Sequence, residues 1–200
     1  MSSLLKANSI SAATGTTVTI PSGTTLDIAS GATLDTTGAT VSGLTTGKVL
    51  QVVQTVKSDV FSTGARADSP VEITGLTASI TPASSSNKIL VMFSMSFGSS
   101  GSNNGHCFLY RDATVIQIGD ADGSRPQSTK SWETSADWNQ SAVNIVCVDS
   151  PATTSSVTYS VKIGGNGTAT CYLNRSGRHL TTAFDDSTEA SQVILMEIGA

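Results

Sequence analysis

Charge is scarce in this chain. Asp, Glu, Lys and Arg together make up 13% of its 200 residues, about half the share of roughly 25% usual in soluble domains. The net charge of −4 is mild and gives no electrostatic reason to expect a nucleic acid partner. Histidine occurs only twice, and the frames His-x-x-x-His, G-x-S-x-G and the phosphate loop are all missing. Leu, Glu and Lys are sparse and no stretch sustains a 3.6-residue period, which excludes long helices. The longest apolar runs, such as Ile89-Leu90-Val91-Met92-Phe93, are strand-sized and too short for a membrane span. The opening MSSLLKANSISAATG has no signal-peptide core, so the sequence predicts folding in a cytoplasm without Sec-type export.

Cysteine is also rare. Cys107, Cys147 and Cys171 are odd in number, and each sits in a strand-like run (HCFLY, NIVCV, TATCYL). They read as small buried hydrophobes, although a disulfide among them is left open. Zinc is not expected, because no two cysteines are close and His106 points away from Cys107 on a strand. The sequons at Asn139, Asn166 and Asn174 carry little weight in a chain so rich in Ser and Thr.

What fills the vacancy is Ser, Thr, Gly, Ala and Asn, residues of strands and turns. Residues 16–43 repeat a short frame: TTVTIPSG, TTLDIASG, ATLDTTG, ATVSG. Each unit places an apolar residue at its third position (Val18, Leu26, Leu34, Val41), and two add one at the fifth (Ile20, Ile28). Positions three and five of a strand share a face, and the closing glycine serves the turn. One or two apolar side chains per unit cannot be buried within one chain. The repeat therefore predicts several copies wound together with these six residues on a common axis. The units shorten and lose apolar residues toward residue 43, so the thread reads as a connector, with most cohesion expected in the domain C-terminal to it.

The organisation read from the pattern is an anchoring segment at 1–15, a β-repeat stalk and joint at 16–47, and a head at 48–200. Nine strands are expected in the head, at 49–56, 71–80, 88–97, 106–112, 114–120, 141–149, 157–165, 168–176 and 191–200. VLQVVQTV (49–56) carries apolar residues on both faces, as a buried strand does. VEITGLTASI (71–80) is interrupted at Gly75, giving two short pieces or one bulged strand. HCFLYRD and TVIQIGD form a hairpin turning at Asp112-Ala113. Residues 121–140 show no strand character. The fold class is all-β, an antiparallel β-sandwich of jelly-roll type.

The shaft TTVTIPSGTTLDIASGATLDTTGATVSG resembles those of bacteriophage fibres. The strings GKVLQVVQTVKSD, ITGLTASITPASSSNKILVMFSMSFG, CFLYRDATVIQIGD, DSPATTSSVTYSVKI and ILMEIGA look like a head domain of phage structural proteins, and together they span nearly the whole chain. The resemblance implies a virion protein, a tail fibre active in host attachment. It implies a homotrimer with a head like the trimeric jelly rolls of the tumour-necrosis-factor and C1q type, joined to other virion proteins through residues 1–15. A capsid-decorating head fibre is the alternative within the same class, and a glycan-depolymerising tailspike the alternative from another.

Candidate binding residues fall in two loops. Trp132 and Trp138 lie within seven residues; an exposed indole there stacks on a sugar ring of a host glycan, whereas a buried one closes the end of the sandwich. Arg175, Arg178 and His179 in NRSGRHL either engage anionic groups of a glycan or pair with Asp185 and Asp186. Glu133 and Asp137, between the tryptophans, have the composition of a glycosidase pair without its rigid support. Asp120 and Asp122 lack the later Glu of a calcium loop. No catalytic residue, metal or cofactor is assigned.

Overall fold

A computed structural model describes residues 48–180, 182 and 186–200. The repeat, its six axial residues Val18, Ile20, Leu26, Ile28, Leu34 and Val41, the anchoring segment and Asp185 lie outside the described residues. Among those described there is no helix and there are eleven strands: β1 (Val49–Lys57), β2 (Phe61–Thr63), β3 (Val71–Ile80), β4 (Lys88–Ser99), β5 (Asn103–Arg111), β6 (Thr114–Ile116), β7 (Lys130–Thr134), β8 (Gln140–Asp149), β9 (Val157–Gly165), β10 (Cys171–Leu173) and β11 (Ser191–Ile198).

The topology follows from antiparallel pairing of early strands with late ones. β1 pairs β11, β3 pairs β9, β4 pairs β8 and β5 pairs β7, which is one long hairpin. Rolling that hairpin adds the pairs β11·β4 and β9·β5. Two sheets result, one ordered β1-β11-β4-β8 with the short β2-β10 pair alongside β4, the other β3-β9-β5 with β6 and β7 beyond β5. This is the jelly roll. The hairpin at Asp112-Ala113 is present, closing with Arg111 opposite Thr114. Asp112 has φ 53, a left-handed conformation that Asp tolerates better than most residues.

Alternation sorts the side chains. On β4, Ile89, Val91, Phe93, Met95 and Phe97 point inward and are buried. They meet Tyr159, Val161 and Ile163 of β9 and Leu109 of β5 in one core. The three thiols are free and buried, and burial pushes each of their pKa values up. They behave as the small hydrophobes expected.

Three expectations need correction or completion. VLQVVQTV is an edge strand, bonded on one side only to β11, and its outward Val52 and Val56 stay exposed. Its second apolar face therefore does not meet another layer of the head. VEITGLTASI is one strand with a register shift between Glu72 and Thr77, and Gly75 in the shift has φ 84, so the bulged form holds. Part of the stretch read as strandless is β7, whose pattern buries Trp132 and Thr134 and exposes Lys130, Ser131 and Glu133.

Hydrogen-bonded polar groups close both ends of the sandwich. At the end where the chain enters β1, the buried Glu197 carboxylate accepts from Gln51 Nε2 (2.6 Å), Asn87 Nδ2 (2.5 Å) and the Ala83 N–H (2.7 Å). Nearby in register, Asp149 accepts from Arg111 Nη1 (2.7 Å) and from the Tyr159 hydroxyl (2.7 Å). Burial and the Asp149 carboxylate both push the Tyr159 pKa up, so the hydroxyl stays a donor. At the other end the buried Asn174 donates from Nδ2 to the Lys57 and Asp59 carbonyls (2.8 and 2.9 Å) and accepts from Ser191 Oγ (2.6 Å).

Burial raises the pKa of Glu197, but the donors around its carboxylate outweigh that and leave the pKa below its ordinary 4.5. A folded-state pKa below the unfolded value gives stability that is present above the unfolded value and lost as pH falls through the folded one. Glu197→Ala should therefore destabilise the head by about 3 kcal/mol at pH 7, with three donors left unpaired. The gap between variant and wild type should narrow as pH drops below about 4.5. Urea unfolding at pH 7 and pH 3 measures both.

Candidate functional site

The outward face of the first sheet is organised in rows that follow from register. One row reads Val52, Met196, Leu90, Val148 across β1, β11, β4 and β8; the next reads Gln54, Ile194, Met92, Val146; the third reads Val56, Gln192, Ser94, Asn144. Seven of the first eight positions are apolar, and no charge falls in any of the three rows. Val52, Val56, Val146 and Val148 are each more than half exposed. With strands about 4.8 Å apart and like-facing residues about 6.8 Å apart, the first two rows cover roughly 19 by 14 Å. Exposed Leu50 extends the patch toward the start of β1. Together these side chains make a contiguous apolar area on the outward face of the sheet.

The loops at the far end hold most of the binding residues expected from sequence. The turn after β7 and the segment after β10 meet where the Arg178 N–H donates to the Asp137 carbonyl (2.9 Å). Trp138 in that turn is 57% exposed, and Leu180 is 49% exposed. His179 is exposed as well, with φ 45. Arg178 is paired: its Nη2 lies 3.2 Å from the Asp186 carboxylate, which also accepts from the Leu180 N–H (2.8 Å) and Ser176 Oγ (2.9 Å). The Arg178 guanidinium foremost, with these donors, holds the Asp186 pKa at about 2. Arg178 is thus committed to its own loop, one of the two outcomes anticipated. Gly177 permits the loop's close approach, since a Cβ there would overlap the Ser99 carbonyl oxygen.

Arg175 lies apart from that pair, its guanidinium 3.8 Å over the Tyr172 ring. Trp132 takes the buried alternative. Its indole stacks on Phe97 at 5.2 Å, the rings 9° from parallel, and fills the space where Gly105 lacks a side chain: a Cβ there would overlap Trp132 Cε2. At 5% exposure Trp132 offers little surface for stacking on a sugar. Trp138 alone remains of the proposed aromatic pair. Glu133 lies on β7 while Asp137 lies in the turn. Asp122 pairs with Arg125 in its exposed loop, and no cluster of three metal-ligating side chains occurs among the described residues.

Sequence reasoning missed the apolar rows as a surface. The signal was present in VLQVVQTV and in Val146 and Val148, but periodicity records that a face is apolar without recording what covers it.

No family model and no curated protein matches the sequence. Among solved structures, the chain is similar to that of the infectious bursal disease virus Gx strain, with 12% identity and a TM-score of 0.38, over 74% of this chain and 39% of that one. It is also similar to a D431N mutant VP2 protein of infectious bursal disease virus in T=1 particles, with 13% identity and a TM-score of 0.34, over 74% of this chain and 36% of that one. The chain spans well under half the length of either, and at these scores the likeness carries no functional conclusion.

The two tryptophans should respond oppositely to truncation. Trp132→Ala is expected to cost about 3–5 kcal/mol, the range for removing a buried aromatic, while Trp138→Ala should change stability by no more than about 0.5 kcal/mol. Thermal unfolding of both variants under one condition reads the difference.

Proposed function

We propose that this chain is a non-enzymatic structural protein of a bacteriophage particle, a homotrimeric fibre whose head packs through the outward face of β1, β11, β4 and β8. The exposed apolar rows carry this reading. Covering the exposed halves of Val52, Leu50, Val56, Val146 and Val148 is worth on the order of 1 kcal/mol each in every protomer, and that gain is open only to a chain with a partner. A second copy is the partner that fits. The repeat at 16–43 already calls for identical chains on one axis, and it runs through a short joint in the sequence to β1, the strand that borders the apolar face. The resemblance of shaft and head strings to phage fibres supplies the virion setting. In that setting residues 1–15 dock on other virion proteins.

Analytical ultracentrifugation tests the assembly. The wild-type chain should sediment at three times 20.4 kDa, and Val146→Asp, which puts a charge in the second row, should shift it toward monomer. A wild-type monomer that persists at micromolar concentration overturns the reading.

Host attachment is the further part of the proposal. Trp138 and His179 stand exposed at the end of the sandwich opposite the entry to β1, open to a host surface. Trp138→Ala and His179→Ala should reduce adsorption to host cells several-fold while sedimentation stays unchanged. Undiminished adsorption of both variants would leave those loops without a recognition role.

A further inference from the structure

The outward face of the second sheet carries a separate feature. Two adjoining hollows, of about 250 and 330 Å³, share His106 and Asn166 in their linings. One wall is the segment Arg66–Asp68, which crosses β9 so closely that a Cβ on Gly164 would overlap the Arg66 carbonyl oxygen. That wall is pinned by hydrogen bonds from the Gly165 N–H to the Ala65 carbonyl (2.8 Å) and from the Ala67 N–H to the Gly165 carbonyl (3.0 Å). The opposite wall is β7, with Ser131 and Glu133 outward. Between them, on β5, lie Asn104 and His106, the former opposite Glu133 and the latter opposite Ser131. Asn166 is held beside them by its N–H bond to the Asn104 carbonyl (2.8 Å). The groove is preformed from backbone.

Its polar side chains are unspent. Asn104, His106, Ser131, Glu133 and Asn166 make no side-chain hydrogen bond to any described residue. His106 Nδ1 is sealed from solvent without a partner, which is rare for a buried polar atom and calls for a reason. Burial holds the imidazole pKa down, so the ring is neutral near pH 7, and Nε2 is its remaining hydrogen-bonding atom. Arg66 is the only cation among the described residues of the lining, and Asp68, 3.7 Å away, offsets it. With Glu133 the lining is mildly acidic, which disfavours phosphate, sulfate and carboxylate ligands.

We propose that this groove binds a neutral saccharide. Two amides, a carboxylate, a hydroxyl and a neutral imidazole offer both donors and acceptors, as sugar hydroxyls require, since each hydroxyl both donates and accepts. Hollows near 300 Å³ are at the lower bound of small-molecule sites, a size for one or two sugar rings. The groove lies within one protomer, so this site stands apart from the oligomer reading. It also shares no residue with the Trp138 and His179 loops.

Saturation-transfer NMR and titration calorimetry of the full chain against a panel of neutral and anionic mono- to trisaccharides test it. At least one neutral sugar should bind in the micromolar to millimolar range. Glu133→Ala and Asn166→Ala, both outward-facing, should each weaken it by about tenfold or more with the melting temperature unchanged, and Trp138→Ala should bind as wild type. Absence of any neutral-sugar binding at about 10 mM, preference for the anionic members, or full affinity in both groove variants would each overturn the assignment.

Discussion

Strand β4 is the constraint on which the head depends. At 12 residues it is the longest strand among the described residues, and it is bonded along both edges for most of that length, with β11 and then β10 on one side and β8 on the other. Its inward side chains, Ile89 through Phe97 at every second position, form the largest contribution of any strand to the core. Its outward side chains include Leu90 and Met92, the centre of the apolar rows. A single strand thus commits the chain to a closed interior and to an apolar exterior. With few charges and no disulfide, burial of the inward face is the main source of cohesion within the head.

The polar groups that the fold does bury act where the sheets end and backbone ladders run out. Glu197 gathers the β3–β4 connection onto β1 and β11, Asp149 ties β8 to β5 and β9, and Asn174 binds the turn after β1 to the start of β11. Each reaches backbone or side-chain groups that no strand satisfies, in keeping with the cost of leaving a buried donor unpaired. Asn174 has φ 67, a conformation Asn adopts more readily than most residues, so its backbone and its amide suit the same corner.

Much of this was legible in the sequence because alternation is a local signal. All nine expected strands exist, and the Asp112 turn and the Gly75 bulge were readable from two or three residues each. β2 and β7 were not, since Phe61–Thr63 and Lys130–Thr134 are short and dominated by Ser, Thr and charge. Trp132 turned on a fact sequence does not contain: Gly105, 27 positions earlier, is its cross-strand neighbour and leaves the hole that the indole fills. The same limit applied to β1. Val52 and Val56 read identically whether covered by another layer of the chain or by another chain. The groove at His106 was illegible for the same reason, its walls coming from five separate segments.

Register also gives the apolar rows a direction. Val49 pairs Ile198, Ile198 pairs Lys88, and Ile89 pairs Asp149, so these positions define the end at which the chain enters the head. The rows nearest that end are Val52-Met196-Leu90-Val148 and then Gln54-Ile194-Met92-Val146. The row beyond, Val56-Gln192-Ser94-Asn144, is mostly polar, and Ser96 faces Ala142 further still. Trp138, His179 and Leu180 lie past this polar margin. A trimer held by the apolar rows would therefore be gripped at the entry end of the head. Toward the far end the outward face turns polar, and protomers packed through it gain little there by excluding water. The loops at that end are tied by local bonds, among them Arg178 to Asp186 and to the Asp137 carbonyl and Leu180 and Ser176 to Asp186. Substitutions there leave the apolar rows untouched, because the exposed loop side chains and those rows lie toward opposite ends of the same strands.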